Sequence, residues 1–183
     1  ITVMLTLGVF ALFCYFQTKH PVTLACAGYV GLHGLGWFAA SGAWGYLLPS
    51  QSWNPVYFGM VLFPFAVAFS CYYTRLLFGF PQHFIRINLT FQAFSWLCVI
   101  IGFINVFAPF SLTFVMSHLI AAIWVPTMIV TGVLMVYQRN FVAKYYLIGG
   151  LCYGTALVYY IFAHFAPLPT CLLYTSPSPR DLR

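Results

Sequence analysis

The sequence predicts an all-α fold, a polytopic bundle of transmembrane helices, and three observations predict it. Six apolar runs of bilayer-spanning or nearly spanning length follow one another along the chain. Hydrophobic residues make up 63% of the 183 residues and charged residues 4%. A soluble domain carries about 25% charged residues, so a water-facing surface cannot be built from this inventory. From Ile1 to Thr170 there is no aspartate or glutamate, and every lysine or arginine lies in alternate breaks between the runs. Lys19 is in the first break, Arg75 and Arg86 flank the third, and Arg139 and Lys144 flank the fifth. Basic residues accumulate in loops on the cytoplasmic side, so the layout expects Ile1 at the outer face.

The runs justify themselves in order. Ile1–Phe16 covers about 24 Å of a hydrocarbon core of roughly 30 Å, so it reads as a helix cut near its outer end. A polar turn, Gln17–Pro21, follows. The second run, Val22–Ala40, carries Gly28, Gly31 and Gly34, small residues on one stripe that let helix backbones approach closely. Ser41–Pro55 is the longest uncharged break. Trp44, Tyr46 and Trp53 there suit a membrane–water interface, with Pro49 and Pro55 stopping helix on either side. The third run, Val56–Thr74, has Pro64 near its middle, where a missing N–H usually kinks a helix. Arg75–Arg86 is the second basic loop, broken at Gly79 and Pro81. The fourth run, Ile87–Ile104, ends at Asn105–Pro109. The fifth, Phe110–Tyr137, is long enough to tilt and contains Pro126. Gln138–Lys144 is the third basic loop. The sixth run, Tyr145–Ala166, contains the Gly150/Gly154 pair suited to helix packing and ends at Pro167–Pro169. No domain boundary, repeat or soluble module interrupts residues 1–170.

Composition narrows the chemistry. The basic residues of the body are widely spaced in short loops, which suits anionic lipid headgroups and not nucleic acid. Cys14, Cys26, Cys71, Cys98 and Cys152 lie inside apolar runs as small hydrophobes, and no zinc-ligand spacing occurs. Without carboxylates there is no acid/base pair, no oriented histidine and no hard-metal cage, so no catalytic, cofactor or metal residue is expected. The chain starts with Ile and has no basic region before its first apolar run, which argues against an intact signal peptide. Residues Cys171–Asp181 (CLLYTSPSPRD) resemble the translated adapter of a sequencing library, and a single choice of codons reproduces it throughout. Residues 171–183 are therefore expected to be a disordered, non-native tail, and the chain a fragment open at both ends.

Five histidines remain. His20 and His83 fall at headgroup level; His33, His118 and His164 lie in or near membrane runs, where an ionisable residue is a functional candidate. Each is alone on its run, so a neutral histidine hydrogen-bonded between helices is expected over a haem or metal ligand. Asn88-Leu89-Thr90 matches a glycosylation sequon, discounted because it opens a helix on the inner side. Gln92, Ser95, Ser117, Thr127 and Thr131 are expected to hydrogen-bond across helices.

The order of these features resembles the membrane region of the bacterial seven-transmembrane receptors with diverse intracellular signalling modules. Three segments carry the resemblance: GAWGYLLPSQSWNP after the glycine-rich second helix, FSCYYTRLLFGFPQHFIR at the second basic loop, and RNFVAKYYLIGGLCYG opening the sixth helix. Lys144 stands where arginine is expected, Gly149-Gly150 where Ala-Trp is more usual, and the seventh helix is missing. The resemblance implies a bacterial inner-membrane domain that relays an extracytoplasmic stimulus. It also implies a sensing domain before the first helix and an output module, commonly a diguanylate cyclase or histidine kinase, after the seventh. The partners expected are the lipid bilayer and those two domains, with a homodimer left open. The moving elements would be the proline-bearing third and fifth runs. A fragment of a transporter or permease is the alternative, and it predicts internal repeats or broken helices around a midplane site. A haem- or quinone-handling membrane enzyme is a third reading.

Overall fold

A computed structural model describes residues 2–41 and 55–165. The described residues form six α-helices and one 3-10 turn: α1 (Thr2–Thr18), α2 (Pro21–Ala40), α3 (Pro55–Phe78), the turn Gln82–Phe84, α4 (Ile85–Phe107), α5 (Phe110–Tyr137) and α6 (Phe141–Phe165). All but α1 are long and apolar enough to cross a membrane. The all-α polytopic fold expected from the apolar runs is therefore present. The aromatic break with Pro49, Trp44, Tyr46 and Trp53, the Pro167–Pro169 end and the tail at 171–183 lie outside the described residues. The chain forms two compact units, Ile1–Pro126 and Thr127–Arg183.

Helix ends follow local chemistry. Pro21 takes the first position of α2, where its missing N–H costs nothing, and His20 Nδ1 accepts from Val22 N at 3.4 Å as the N-cap. Pro55 likewise opens α3 instead of stopping a helix, a correction to the expectation from its ring. Asn140 Oδ1 accepts from Val142 N at 3.0 Å at the start of α6. The helices that run into basic breaks all end on a left-handed residue: Lys19 (φ 54°), Gly79 (φ 49°) and Arg139 (φ 57°). Arg139 closes a Schellman turn, with Arg139 N donating to Val136 O at 2.9 Å and Asn140 N to Met135 O at 3.1 Å. Only Gly79 adopts this backbone without a side-chain penalty. Lys19 gains from it: the ammonium folds back over the Tyr15 and Phe16 rings at 5.6 and 5.2 Å.

The helices also reach further into the breaks than the apolar runs do. Arg75 lies in the last turn of α3, Arg86 is the second residue of α4, and Asn105 belongs to α4 instead of the following loop.

Burial is inside-out. On α4 the buried positions are Phe91, Cys98, Gly102 and Asn105, whereas Leu89, Trp96, Leu97, Ile100, Phe103, Ile104 and Phe107 are exposed. Large apolar residues face outward because the surrounding solvent is hydrocarbon, and small or polar ones face inward because helix backbones can then approach. Within the first unit, a Cβ on Gly8 would lie 3.0 Å from the Gly31 Cα, and one on Gly34 would lie 3.0 Å from Leu5. Gly28 instead abuts the Phe69 ring, where an added Cβ would come within 2.5 Å. A spacing of three turns the helix back about 60° per step, so the three glycines fan across two partners, α1 and α3. The closest backbone approach joins α2 and α3: a Cβ on Gly59 would lie 2.6 Å from the Gly36 carbonyl oxygen. In the second unit, Gly132 abuts Leu147, and Gly150 abuts Met128 at 3.0 Å from an added Cβ.

Candidate functional site

Polar groups inside the first unit gather along α3, which touches α4 and α5 through hydrogen bonds at four levels. At the end where α3 begins, the Tyr57 hydroxyl meets two carbonyls of the last turn of α4, Asn105 at 2.6 Å and Val106 at 3.1 Å, and that of the capping residue Ala108 at 3.0 Å. These are carbonyls that a helix C-terminus leaves unpaired. The buried Thr113 hydroxyl of α5 lies 3.5 Å from the same Asn105 oxygen.

One turn deeper, Ser117 Oγ of α5 donates to the Met60 carbonyl at 2.9 Å. Met60 is four residues before Pro64, so its carbonyl is the one that the proline deprives of an N–H donor. In hydrocarbon such an orphan must be satisfied by another helix, and the serine does so. The third level is Ser95 Oγ of α4 on the Ala68 carbonyl at 3.1 Å. At the fourth, Arg75 Nε donates to Asn88 Oδ1 at 2.7 Å and Nη2 to Gln92 Oε1 at 3.2 Å.

The α4 side of this seam is a regular stripe. Asn88, Phe91, Ser95, Cys98, Gly102 and Asn105 alternate steps of three and four, which keeps them on one face against α3. Two buried groups beside the seam carry unspent hydrogen-bonding capacity. The Asn105 carboxamide is fully enclosed, and neither its nitrogen nor its oxygen has a partner among the described residues. The Trp124 indole N–H is in the same position, held between Phe91 (5.8 Å, edge-on) and Phe94 (6.3 Å, stacked).

Of the expected interhelical residues, Gln92, Ser95 and Ser117 bridge helices within the seam. Thr131 is buried in the second unit and Thr127 half-buried. His33 packs edge-on between Tyr29 (5.2 Å) and Phe63 (5.4 Å). The His118 Nδ1–Phe114 carbonyl bond, 2.7 Å, runs within α5 and not between helices, because a carbonyl one turn back lies within reach of the ring. The two rings sit 4.0 Å apart. His83 falls in the 3-10 turn and His164 in the last turn of α6. Among the described residues no three histidines, cysteines or acids gather to hold a metal. The sequence reading missed Tyr57, Asn105 and Thr113, and it discounted Asn88 as a spurious sequon. The three–four spacing on α4 is the signal for Asn88 and Asn105; no pattern along the chain singles out Tyr57 or Thr113.

Residues 1–178 match the family model described as 7TM diverse intracellular signalling. The chain belongs to that family. The match spans both compact units and the whole polar seam, and it makes the chain a multi-pass membrane protein of a sensory signalling family. No curated protein and no solved structure matches it.

Proposed function

We propose that this domain of the 7TM diverse intracellular signalling family relays a conformational signal across the bacterial inner membrane, from a sensing domain outside to an output module in the cytoplasm. In this reading residues 1–170 are the relay and the basic end of α3 faces the cytoplasm. The single observation that carries it is the seam: four levels of interhelical hydrogen bonds run along α3 from Tyr57 to Arg75. Such a ladder can pass a shift of one helix end to the other, because each rung ties α3 to α4 or α5 at a fixed register. Ser117 is the rung best suited to switching, because Pro64 leaves the Met60 carbonyl dependent on a donor from another helix. The α-helices of the described spans are continuous, without the unwound midplane segments that a transporter site uses. In this reading catalysis belongs to an output module, and the nucleotide sequence past Thr170 tests it: a seventh helix followed by a cyclase or kinase module would support the relay, and a second six-helix half would favour a transporter.

The test is made in the complete receptor, in the cell. Ser117→Ala and Tyr57→Phe are expected to shift basal output by about threefold or more, the range in which non-contacting residues modulate coupling. Membrane content of the protein should stay unchanged. Unaltered output and unaltered response to stimulus in both variants would exclude the seam as the route.

A further inference from the structure

Arg75 is a cation fixed in place without an anion of its own. In a guanidinium, Nε–H and one Nη2–H share an edge, and Asn88 and Gln92 occupy that edge. The opposite edge, where Nη1 and Nη2 present parallel N–H groups, is left by these two bonds. Both amide partners are neutral, and the chain has no aspartate or glutamate before Asp181. Holding a long, rotamer-rich side chain still costs up to about 2 kcal/mol of entropy. What that restraint creates is a pre-organised fork of the kind that binds two oxygens of one oxyanion.

We propose that Arg75, clamped by Asn88 and Gln92, anchors a binding site for the phosphate of an anionic phospholipid headgroup at the basic end of α3 and α4. Arg75 lies in the last turn of a spanning helix, the level at which headgroups meet the hydrocarbon. Exposed Leu89 follows Asn88 on α4, and exposed Tyr72 lies one turn before Arg75 on α3. They supply an apolar wall for acyl chains, which a free phosphate would not use. A lipid held there ties the ends of α3 and α4 together, so headgroup composition sets how firmly the last rung of the seam is locked. The inference rests on α3 and α4 spanning the bilayer and is independent of the relay.

Native mass spectrometry of the purified full chain in detergent, with equal phosphatidylglycerol and phosphatidylcholine, tests it. The wild type is expected to retain phosphatidylglycerol with about tenfold preference, equivalent to about 1.4 kcal/mol. Arg75→Gln should abolish the preference, and Arg86→Gln, at the same end but outside the clamp, should keep it. The Asn88→Ala/Gln92→Ala double variant retains the charge but frees the fork, and should lose most of the preference. That variant alone decides the matter if Arg75→Gln does not fold, an unchanged preference overturning the proposal. So would equal loss in Arg86→Gln, which would make the effect one of general surface charge. Displacement of the lipid by inorganic phosphate would assign the fork to a free anion. Equal retention of both lipids by the wild type would overturn the proposal.

Discussion

At the scale of single residues, the informative groups are polar ones whose partners lie on another helix. Ser117 and Pro64 form one unit although they sit on different helices: the proline removes a donor and the serine replaces it. A double-mutant cycle should expose this. Ser117→Ala is expected to cost about 1 kcal/mol, near the upper part of the range for interhelical hydrogen bonds in membranes. In a Pro64→Ala background, where an N–H is restored to the Met60 carbonyl, the same change should cost nearly nothing. Unfolding free energies in bicelles measure the coupling, and additive losses would break the link between the two residues. Lys19 shows the same dependence on context from the other direction. Its left-handed backbone is unfavourable for a lysine, but the conformation places the ammonium over two aromatic rings.

At the scale of helices, glycines decide which pairs approach most closely, and their positions differ sharply in what they tolerate. Gly59 faces the Gly36 carbonyl across the α2–α3 contact, with 2.6 Å available to an added Cβ. Gly59→Ala must therefore push two backbones apart, at a cost of about 1–3 kcal/mol. Gly149 has nothing within 4 Å of an added Cβ. Gly149→Ala should be neutral or stabilising by up to about 1 kcal/mol, from helix propensity alone. Thermal unfolding of both variants in lipid nanodiscs compares them directly, and equal effects would remove the packing role assigned to Gly59. Glycine content alone does not rank these positions. The rotation of about 100° per residue does, because it determines which neighbour each glycine meets.

At the scale of the whole chain, the dominant fact is charge asymmetry in a body without acids. The basic residues of residues 1–170 lie in or at the edges of alternate breaks, and from the positive-inside rule we propose that those breaks face the cytoplasm. Single cysteines introduced on a cysteine-free background test this in intact cells with a membrane-impermeant maleimide. Phe107→Cys, at an exposed position near the neutral end of α4, is expected to label from outside. Lys19→Cys, in the first basic break, should label only after the membrane is opened. The reverse pattern would invert the topology and place the Arg75 clamp at the outer leaflet.

The fold class, the number and order of the described helices, the charge asymmetry and the family resemblance are all legible in the sequence. Each of these is carried by composition and by patterns along the chain. Hydrocarbon solvent demands long apolar helices whatever their partners, so the runs are legible without a structure. The same uniformity explains what was hidden. When lipid-facing and helix-facing residues are both apolar, hydropathy does not distinguish an exposed Trp96 from an enclosed Phe91. Helix ends were misplaced at Arg75, Arg86, Asn105 and Lys144 because charged and amide residues read as loop, although both kinds sit within the terminal turns of spanning helices. Gln92, Ser95 and Ser117 were recognisable as interhelical residues, since a polar group in hydrocarbon has few other choices. The partners of Ser95 and Ser117 were not, because Ala68 and Met60 contribute only backbone carbonyls. Tertiary packing alone shows that Ser117 meets the carbonyl freed by Pro64, that Asn88 and Gln92 clamp Arg75, and that the Asn105 carboxamide is enclosed without a partner among the described residues. Those facts depend on which faces of α3, α4 and α5 meet, and that is a property of packing between distant segments.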